Sequence, residues 1–148
     1  MHDFQFKMSS GTVFTNKAYK RMKRKSSAKC TFCEEDKQNF IHLYISCPGV
    51  NKFRTEIAKN WSGERMTTKR WFLGTSGSND ILEKSKEYLA KEINYYTFQM
   101  NWADKELSSL EFKNRVLAEE EVEEALALET KNTYDFHVKW EYLKQLLQ

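Results

Sequence analysis

The chain has 148 residues, which is enough for one modest domain or for one domain with a helical extension. Apolar residues make up 40% of it and aromatic residues 14%, so a hydrophobic core can form and disorder throughout the chain is not expected. One proline and five glycines exclude a collagen-like protein and disfavour a β-protein with many turns. No run of about 18 apolar residues and no positively charged leader is present, so we expect an intracellular protein of the nucleus or cytoplasm that is neither secreted nor membrane-spanning.

The charges are distributed unevenly, although the formal net charge is only +3. Residues 1–30 contain eight Lys/Arg and one Asp, a net charge of +7. Residues 31–100 contain ten basic and nine acidic residues, and residues 101–148 contain six basic and eleven acidic residues, a net charge of −5. A basic end on a short chain indicates a contact with a polyanion, whereas the alternative is a helix face that is charged only to stay solvated.

The first predicted element is a short helix within a basic segment. Residues 15–22 favour a helix that Thr15 or Asn16 can cap, and residues 23–27 favour a loop. Tyr19 and Phe32 are candidates for stacking on unpaired bases, although each fits a core position better than an exposed one. Seven cations are candidate phosphate contacts: Lys17, Lys20, Arg21, Lys23, Arg24, Lys25 and Lys29.

All three cysteines lie close together, with one histidine between them. They form the pattern C-x2-C-x8-H-x4-C, which consists of Cys30, Cys33, His42 and Cys47. Three Cys and one His are a common closed ligand set for tetrahedral zinc, and a C-x-x-C pair lets one tight turn direct both sulfurs at the same point. Residues five apart on an α-helix are offset by about 140°, so Cys47 is expected where a helical segment ends. Pro48 agrees, because the residue before a proline avoids helical geometry.

Other interpretations of these cysteines stay open. A redox pair is one, although the βαβ pattern typical of such pairs is absent, and three buried thiols beside an unrelated histidine are another. A catalytic zinc with an open position is disfavoured, because four protein donors leave no place for water and no H-E-x-x-H spacing occurs. His2 and His137 stand alone, and His137 fits packing better than catalysis.

The rest of the chain predicts amphipathic helices. Val50, Phe53, Ile57 and Trp61 are spaced three or four apart, which predicts a helix that packs on the zinc unit through Phe53 and Ile57. Ser62-Gly63 and residues 74–79 are breakers around an aromatic patch, and they predict a linker. Asn79 or Asp80 can cap the next helix, whose expected inward positions are Ile81, Leu82, Ser85, Tyr88, Leu89, Ile93 and Tyr96.

Two further helices are expected after it. A helix over residues 105–129 carries the acidic run Glu119-Glu120-Glu121, most simply as a solvated face, and its apolar positions are Leu107, Leu110, Val116, Leu117 and Ala125. The last helix places four apolar residues in register: Phe136, Trp140, Leu143 and Leu147.

The predicted fold class is therefore mostly α, with a small irregular CCHC zinc-binding unit followed by amphipathic helices. Four segments follow from it: a basic lead-in at 1–29, the zinc-binding unit with its packing helix at 30–61, an aromatic and Gly/Ser linker at 62–79, and an acidic helical extension at 80–148.

Several short strings occur in a distinctive order: Cys30-Thr31-Phe32-Cys33-Glu34-Glu35, Ile41-His42-Leu43 and Ser46-Cys47-Pro48, followed by Val50 and Phe53. Together they resemble the zinc-binding region that lies downstream of the polymerase core in the reverse transcriptases of LINE-type (non-LTR) retrotransposons. Residues 15–22 resemble the segment that leads into the cysteines of that family, and residues 81–98 and 136–140 are more weakly similar to its later parts.

The chain also departs from that family. It has no Tyr/Phe-x-Asp-Asp motif, and nothing supplies the clustered carboxylates that two-metal nucleotidyl transfer needs. The family's restriction-like endonuclease carries a Pro-Asp pair, whereas Pro48 precedes Gly49 here. Arg54 stands where the family usually has an aromatic residue. We therefore expect no enzymatic activity from this chain.

The resemblance implies a non-catalytic, zinc-dependent module that binds RNA or DNA through the phosphate backbone, with a single strand among the expected partners. The alternative is a zinc-stabilised protein-interaction module, in which the acidic C-terminal helices and the aromatic patch Trp71-Phe72 contact a protein partner. A fragment of a decayed element without a function of its own is a further alternative.

Overall fold

The computed structural model of the chain describes residues 2–34, 37–61, 67–74 and 79–148. Within these residues the secondary structure is helical and contains no β-strand, which confirms the predicted mostly-α class. None of the helices described is both long and apolar enough to cross a membrane. The α-helices are α1 (His2–Ser9), α2 (Asn16–Arg21), α3 (Pro48–Ile57), α4 (Thr68–Leu73), α5 (Ile81–Ala103), α6 (Ser109–Thr130) and α7 (Thr133–Leu147).

The chain forms two compact units. The first consists of Met1–Thr55 with Ile93–Leu107, and the second consists of Glu56–Glu92 with Ser108–Gln148. The long helix α5 therefore contributes its first half to the second unit and its second half to the first. The two units therefore do not follow the four consecutive segments expected from the sequence. Ile93–Leu107 belongs to the same unit as the cysteine-rich part although it is distant in sequence, and local periodicity does not reveal such a contact.

In the first unit, aromatic side chains pack on the second half of α5. Phe4 of α1 is buried, and its ring centroid lies 5.1 Å from that of Tyr95 and 5.3 Å from that of Phe98. Phe53 of α3 is also buried, with its ring 5.7 Å from that of Tyr96. Helix α1 was not expected from the sequence. It forms where Phe4 and Met8, four residues apart, share one buried face.

Helix α2 begins where the sequence predicts, but it is not capped as expected. Thr15 occupies the N-cap position in an extended conformation, and its side chain makes no capping hydrogen bond. The side chain of Asn16 is directed to the cysteine-rich loop instead, as described below. After the helix, Lys23 adopts a left-handed conformation with φ of 56°, which turns the chain out of the helix.

In the second unit, the predicted face of α7 is confirmed and that of α6 is wrong in part. Four residues of α7 are buried as expected: Phe136, Trp140, Leu143 and Leu147. On α6, the buried residues are Phe112, Val116 and Ala127, whereas Leu110, Leu117 and Ala125 are exposed. Apolar residues lie on several sides of this helix, so their spacing did not identify the face that is buried.

The aromatic patch of the expected linker lies in helix α4. Thr67 caps this helix, because its hydroxyl accepts a hydrogen bond from the backbone N–H of Arg70 at 3.3 Å. Trp71 is half-buried and stacks on Trp61, with ring centroids 5.7 Å apart. The predicted breakers Ser62-Gly63 and residues 75–78 lie outside the described residues.

Candidate metal centre

The four predicted ligands meet at one point. The donor atoms of Cys30, Cys33, His42 and Cys47 all lie within 4.8 Å of one another. The Sγ atoms of Cys30 and Cys47 are 3.6 Å apart, and Cys33 Sγ is 3.2 Å from His42 Nε2. Cys30 and Cys47 are buried, and the other two side chains are half-buried, so the centre is largely shielded from water.

A tight turn directs the first two sulfurs inward. The backbone N–H of Glu34 donates to the carbonyl of Cys30 at 3.0 Å, and Glu34 closes the turn with φ of 60°. Inside the turn, the N–H of Phe32 points at Cys30 Sγ across 3.5 Å. Such N–H donors stabilise a thiolate, as expected for a C-x-x-C pair that binds a metal.

The last two ligands lie at the ends of a π-helical turn, His42–Ser46. The N–H of Cys47 donates to the carbonyl of His42 at 2.7 Å, a bond between residues five apart. This geometry reduces the angular offset between such residues from about 140° in an α-helix to about 50°, so both side chains face the same point. Cys47 itself is extended with ψ of 121°, as the proline after it predicts.

A buried polar network supports the first cysteine. Gln38 is fully buried, and its Nε2 donates to Cys30 Sγ at 3.3 Å and to Asn101 Oδ1 at 2.8 Å. Its Oε1 accepts from the N–H of Asn16 at 2.9 Å. Asn101, on α5, also accepts from the hydroxyl of Thr31 at 2.9 Å. The network thus links α2, the C-x-x-C turn and α5 around one thiol.

A buried arginine holds the π-helical turn. Arg54 Nη1 donates to the carbonyl of Tyr44, which lies inside that turn, and Nη2 donates to Asn94 Oδ1 at 2.7 Å. Burial lowers the pKa of Arg54 to about 10, so the side chain stays charged at neutral pH. The residue that departs from the family resemblance therefore fixes the turn that carries His42 and Cys47.

Helix α3 approaches the C-x-x-C turn through a glycine. A Cβ atom added at Gly49 would lie 2.5 Å from the carbonyl oxygen of Phe32 and 3.1 Å from its Cβ. Only glycine therefore permits the first turn of α3 to sit this close to the residue between Cys30 and Cys33. Helix α3 thus meets the C-x-x-C turn at Gly49, and Phe53 also packs on Tyr96 of α5. Packing of Phe53 and Ile57 on the cysteine-rich segment stays a prediction.

Cys30 and Cys47 share one proton, and Cys30 is the thiol that loses its own more readily. The hydrogen bond from Cys47 lowers the pKa of the Cys30 thiol to about 4, and the bond from Gln38 acts in the same direction. The shared hydrogen bond raises the pKa of Cys47, because that thiol keeps the proton of the pair. A bound cation would take the place of that proton, since metal-bound cysteine is a thiolate.

Two of the donor pairs are spaced as they would be around a tetrahedral ion. With metal–sulfur bonds of about 2.3 Å and metal–nitrogen bonds of about 2.0 Å, sulfurs in a tetrahedron lie about 3.8 Å apart and sulfur and nitrogen about 3.5 Å apart. The observed 3.6 Å between Cys30 and Cys47 and 3.2 Å between Cys33 and His42 are close to these values. The four residues are therefore compatible with a metal site, as the sequence predicted.

Six of the seven candidate phosphate contacts are exposed: Lys17, Lys20, Arg21, Lys23, Arg24 and Lys29. Lys25 differs, because its Nζ donates to the carbonyl of Asn101 at 2.8 Å and forms an ion pair with Asp104 at 2.5 Å. Its side chain is only 14% exposed. Lys25 therefore ties the basic loop to the end of α5 and is not free to contact phosphate.

The two aromatic candidates for base stacking are not exposed rings. Tyr19 is 2% exposed and Phe32 is half-buried. Burial raises the pKa of Tyr19, and the charge of the nearby Arg24 opposes that increase. Tyr19 therefore belongs to the core of the first unit, as one of the two interpretations of the sequence predicted.

A cleft of about 700 Å³ lies between the basic loop and the metal centre. Arg24, Lys25 and Lys29 supply its cations, and Asp104 and Glu34 supply its carboxylates, so its walls carry a net positive charge. Neutral hydrogen-bonding groups complete the lining, among them Asn16, Ser26, Ser27 and Thr31. Cys30 lies at the wall of the same cleft.

Comparisons with known proteins identify no relative. No protein-family model matches the chain, and no curated protein or solved structure matches it either.

Proposed function

We propose that this chain is a zinc-dependent nucleic-acid-binding module that holds the phosphate backbone of RNA or DNA and catalyses no reaction. The observation that carries the proposal is the placement of six exposed cations within 13 residues, directly before a closed four-donor metal site. All six side chains are exposed to solvent, where a polyanion can reach them.

Zinc is the metal that the donor set favours. Three cysteines and one histidine are soft or borderline ligands, which select zinc over the oxygen-preferring Mg²⁺ and Ca²⁺. Cys30, Cys33, His42 and Cys47 would hold the ion and leave no coordination position open. Zinc in such a site supplies folding energy, and it would fix the loop that carries Lys29 and the cleft beside Cys30.

The cleft offers a place for phosphate. Arg24 and Lys29 are exposed at its wall, and the hydroxyls of Ser26 and Ser27 are hydrogen-bond donors at the same wall. Backbone contacts of this kind carry no sequence information, so the proposal is for binding with little sequence preference. The origin implied by the resemblance, a region of a LINE-type reverse transcriptase, is part of the same proposal.

Fluorescence anisotropy with a labelled single-stranded RNA tests the proposal directly. Each phosphate contact contributes about −0.7 to the log–log salt slope for a single strand, so four to six contacts give a slope of roughly −3 to −4. Affinity of the zinc-loaded chain is then expected to fall about 100-fold between 50 and 200 mM salt. Absence of binding at 50 mM salt would show that the proposal is wrong.

Two triple variants identify the binding segment. Replacing Lys20, Arg24 and Lys29 with alanine removes three exposed cations of the basic segment, and we expect the slope to flatten by about 2. The control replaces Lys52, Lys59 and Lys84, which are equally exposed but lie elsewhere. Zinc content should stay the same in both variants. Equal slopes for the two variants would assign the binding to another part of the chain.

The exposed apolar side chains of α6 favour a second candidate function, a protein-interaction module. Leu110, Val122, Leu126 and Leu128 are each between 54% and 69% exposed on a helix that also carries an excess of glutamates. Apolar groups exposed on an acidic helix are typical of a surface that binds a basic or amphipathic partner. Fluorescence anisotropy with a labelled basic amphipathic helical peptide tests this candidate, which predicts binding to the parent and weaker binding to Val122→Ser/Leu126→Ser.

A further inference from the structure

An exposed aromatic cluster adjoins the basic segment. The ring of Tyr19 packs against two others: its centroid is 5.9 Å from that of Phe14 and 4.8 Å from that of Trp102. Tyr19 is 2% exposed, whereas Phe14 and Trp102 are each 50% exposed. The buried tyrosine therefore supports two rings that present half of their surface to solvent.

Both exposed rings are held by well-packed neighbours. Trp102 lies in the last turn of α5, directly after Asn101, whose fully buried side chain belongs to the network around Cys30. Two residues further on, Asp104 pairs with Lys25. Phe14 lies between Val13 and Thr15, which are both buried. The rings are thus pre-positioned, which lowers the entropic cost of binding a flat ligand to them.

Four exposed cations lie near this cluster: three on the helix that carries Tyr19, and Arg24 just after it. Lys17, Lys20 and Arg21 are exposed on helix α2, which also carries Tyr19. Arg24 is close enough to Tyr19 for its charge to affect that residue's pKa. Aromatic faces beside a row of cations are the combination by which proteins hold single strands, with bases on the rings and phosphates on the cations.

We infer that Trp102 and Phe14 form a stacking platform for unpaired bases, and that the partner is therefore a single-stranded nucleic acid. The inference rests on the proposed function, because it assumes that the basic segment holds the backbone. Duplexes keep their bases stacked on each other, so a duplex can use the cations but not the platform. The charge of this surface disfavours a basic peptide as the occupant and favours a polyanion.

Three probes of equal length separate the platform from the cations: a 12-nucleotide single strand, its abasic counterpart and a duplex. We expect the parent to bind the single strand more tightly than the abasic strand, because only the first can stack. Trp102→Ala should weaken single-strand binding about 5- to 100-fold and leave the salt slope and the abasic affinity unchanged. Trp102→Phe should restore most of the affinity, whereas Trp102→Leu should not, because leucine retains apolar bulk without a flat ring.

Tyr134→Ala is the matched control, because Tyr134 is an aromatic residue that is 77% exposed on α7, outside the basic segment. Its removal should leave all three affinities unchanged, and zinc content and helical circular dichroism should match the parent in every variant. If the parent binds single and abasic strands equally, the platform is refuted while the proposed function stands. If the parent binds none of the probes, the proposed function fails, and the platform fails with it.

Discussion

Cys33 is one of the four donors on which the candidate metal centre depends. Its sulfur faces His42 at 3.2 Å, and no other cysteine lies in the chain to replace it beyond the two that are already ligands. A closed thiolate site of this type contributes about 10–16 kcal/mol of apparent binding energy in small fingers, and much of it is folding energy. We expect Cys33→Ser to lose the metal and to unfold the region around residues 28–50.

Native mass spectrometry with circular dichroism measures both effects. The parent is expected to carry one zinc per chain, and a chelator should reproduce the loss of structure seen in the variant. A parent that is folded and metal-free would contradict the prediction.

Gln38 is a buried residue that contacts the candidate ligand Cys30 directly. Its side chain is fully buried and joins Cys30, Asn16 and Asn101 through three hydrogen bonds. Residues that orient metal ligands typically alter metal affinity 10- to 100-fold when replaced. We expect Gln38→Ala to weaken zinc binding by about this factor, measured by competition with a chromophoric chelator. Gln145→Ala, at an exposed position of α7, is the control and should have no effect.

At the scale of elements, α3 depends on its contact with the C-x-x-C turn. A methyl group at position 49 would collide with the carbonyl oxygen of Phe32, which is backbone and cannot rotate away. Either the helix or the turn must then shift, and the turn carries two ligands. We expect Gly49→Ala to destabilise the zinc-loaded chain by about 1–3 kcal/mol.

Chemical unfolding, followed by circular dichroism, measures this change. Thr55→Ala is the matched control, because Thr55 is exposed on the same helix. A stability of Gly49→Ala equal to that of the control would mean that the turn and the helix are not in contact in solution.

The elements also show what the sequence could predict. The spacing of the cysteines and His42 predicted the four-donor cluster, because C-x-x-C and the residue before a proline constrain the backbone locally. The buried face of α7 followed from four apolar residues in register. The π-helical turn at His42–Ser46 could not be predicted, because a backbone hydrogen bond between residues five apart leaves no periodic pattern in the sequence. Gln38, Arg54 and Asn101 were missed because polar residues are buried only where a partner distant in sequence pairs with them. Gln38 pairs with Asn101 and Arg54 pairs with Asn94, and these contacts are not visible in local spacing.

At the scale of the whole molecule, charge separates into a basic beginning and an acidic end, and the acidic part contains a buried carboxyl group. Glu92 is 3% exposed, and burial raises its pKa to about 7, helped by the charge of Glu119 and opposed by Arg115 and Lys139. Nearby, the hydroxyl of Tyr88 donates to Glu119 at 2.6 Å. Lys139 lies 4.4 Å from the Tyr88 ring and pairs with Glu123 at 2.7 Å.

This environment predicts how the stability of the second unit depends on pH. Because the pKa of Glu92 is higher in the folded state than the ordinary 4.5, the folded state binds the proton more tightly than the unfolded state does. The stabilisation is complete below about pH 4.5 and is lost as the pH rises through about 7. Between pH 5 and 8 the loss amounts to about 2–3 kcal/mol. Glu92→Gln, which cannot ionise, should remove this contribution to the pH dependence.

Amide hydrogen exchange of α6 and α7, corrected for the intrinsic effect of pH, measures the second unit separately from the metal centre, whose ligands also bind protons in acid. Subtracting the unfolding free energy of Glu92→Gln from that of the parent at each pH removes the contribution of every other titrating group that the substitution leaves unchanged. We expect the variant to gain stability relative to the parent as the pH rises from 5 to 8, because only the parent must then hold a buried negative charge. Glu111→Gln, at an exposed position of α6, should follow the parent. Parallel pH profiles for the parent and Glu92→Gln would show that Glu92 ionises at its ordinary pKa, and hence that water reaches it in the folded protein.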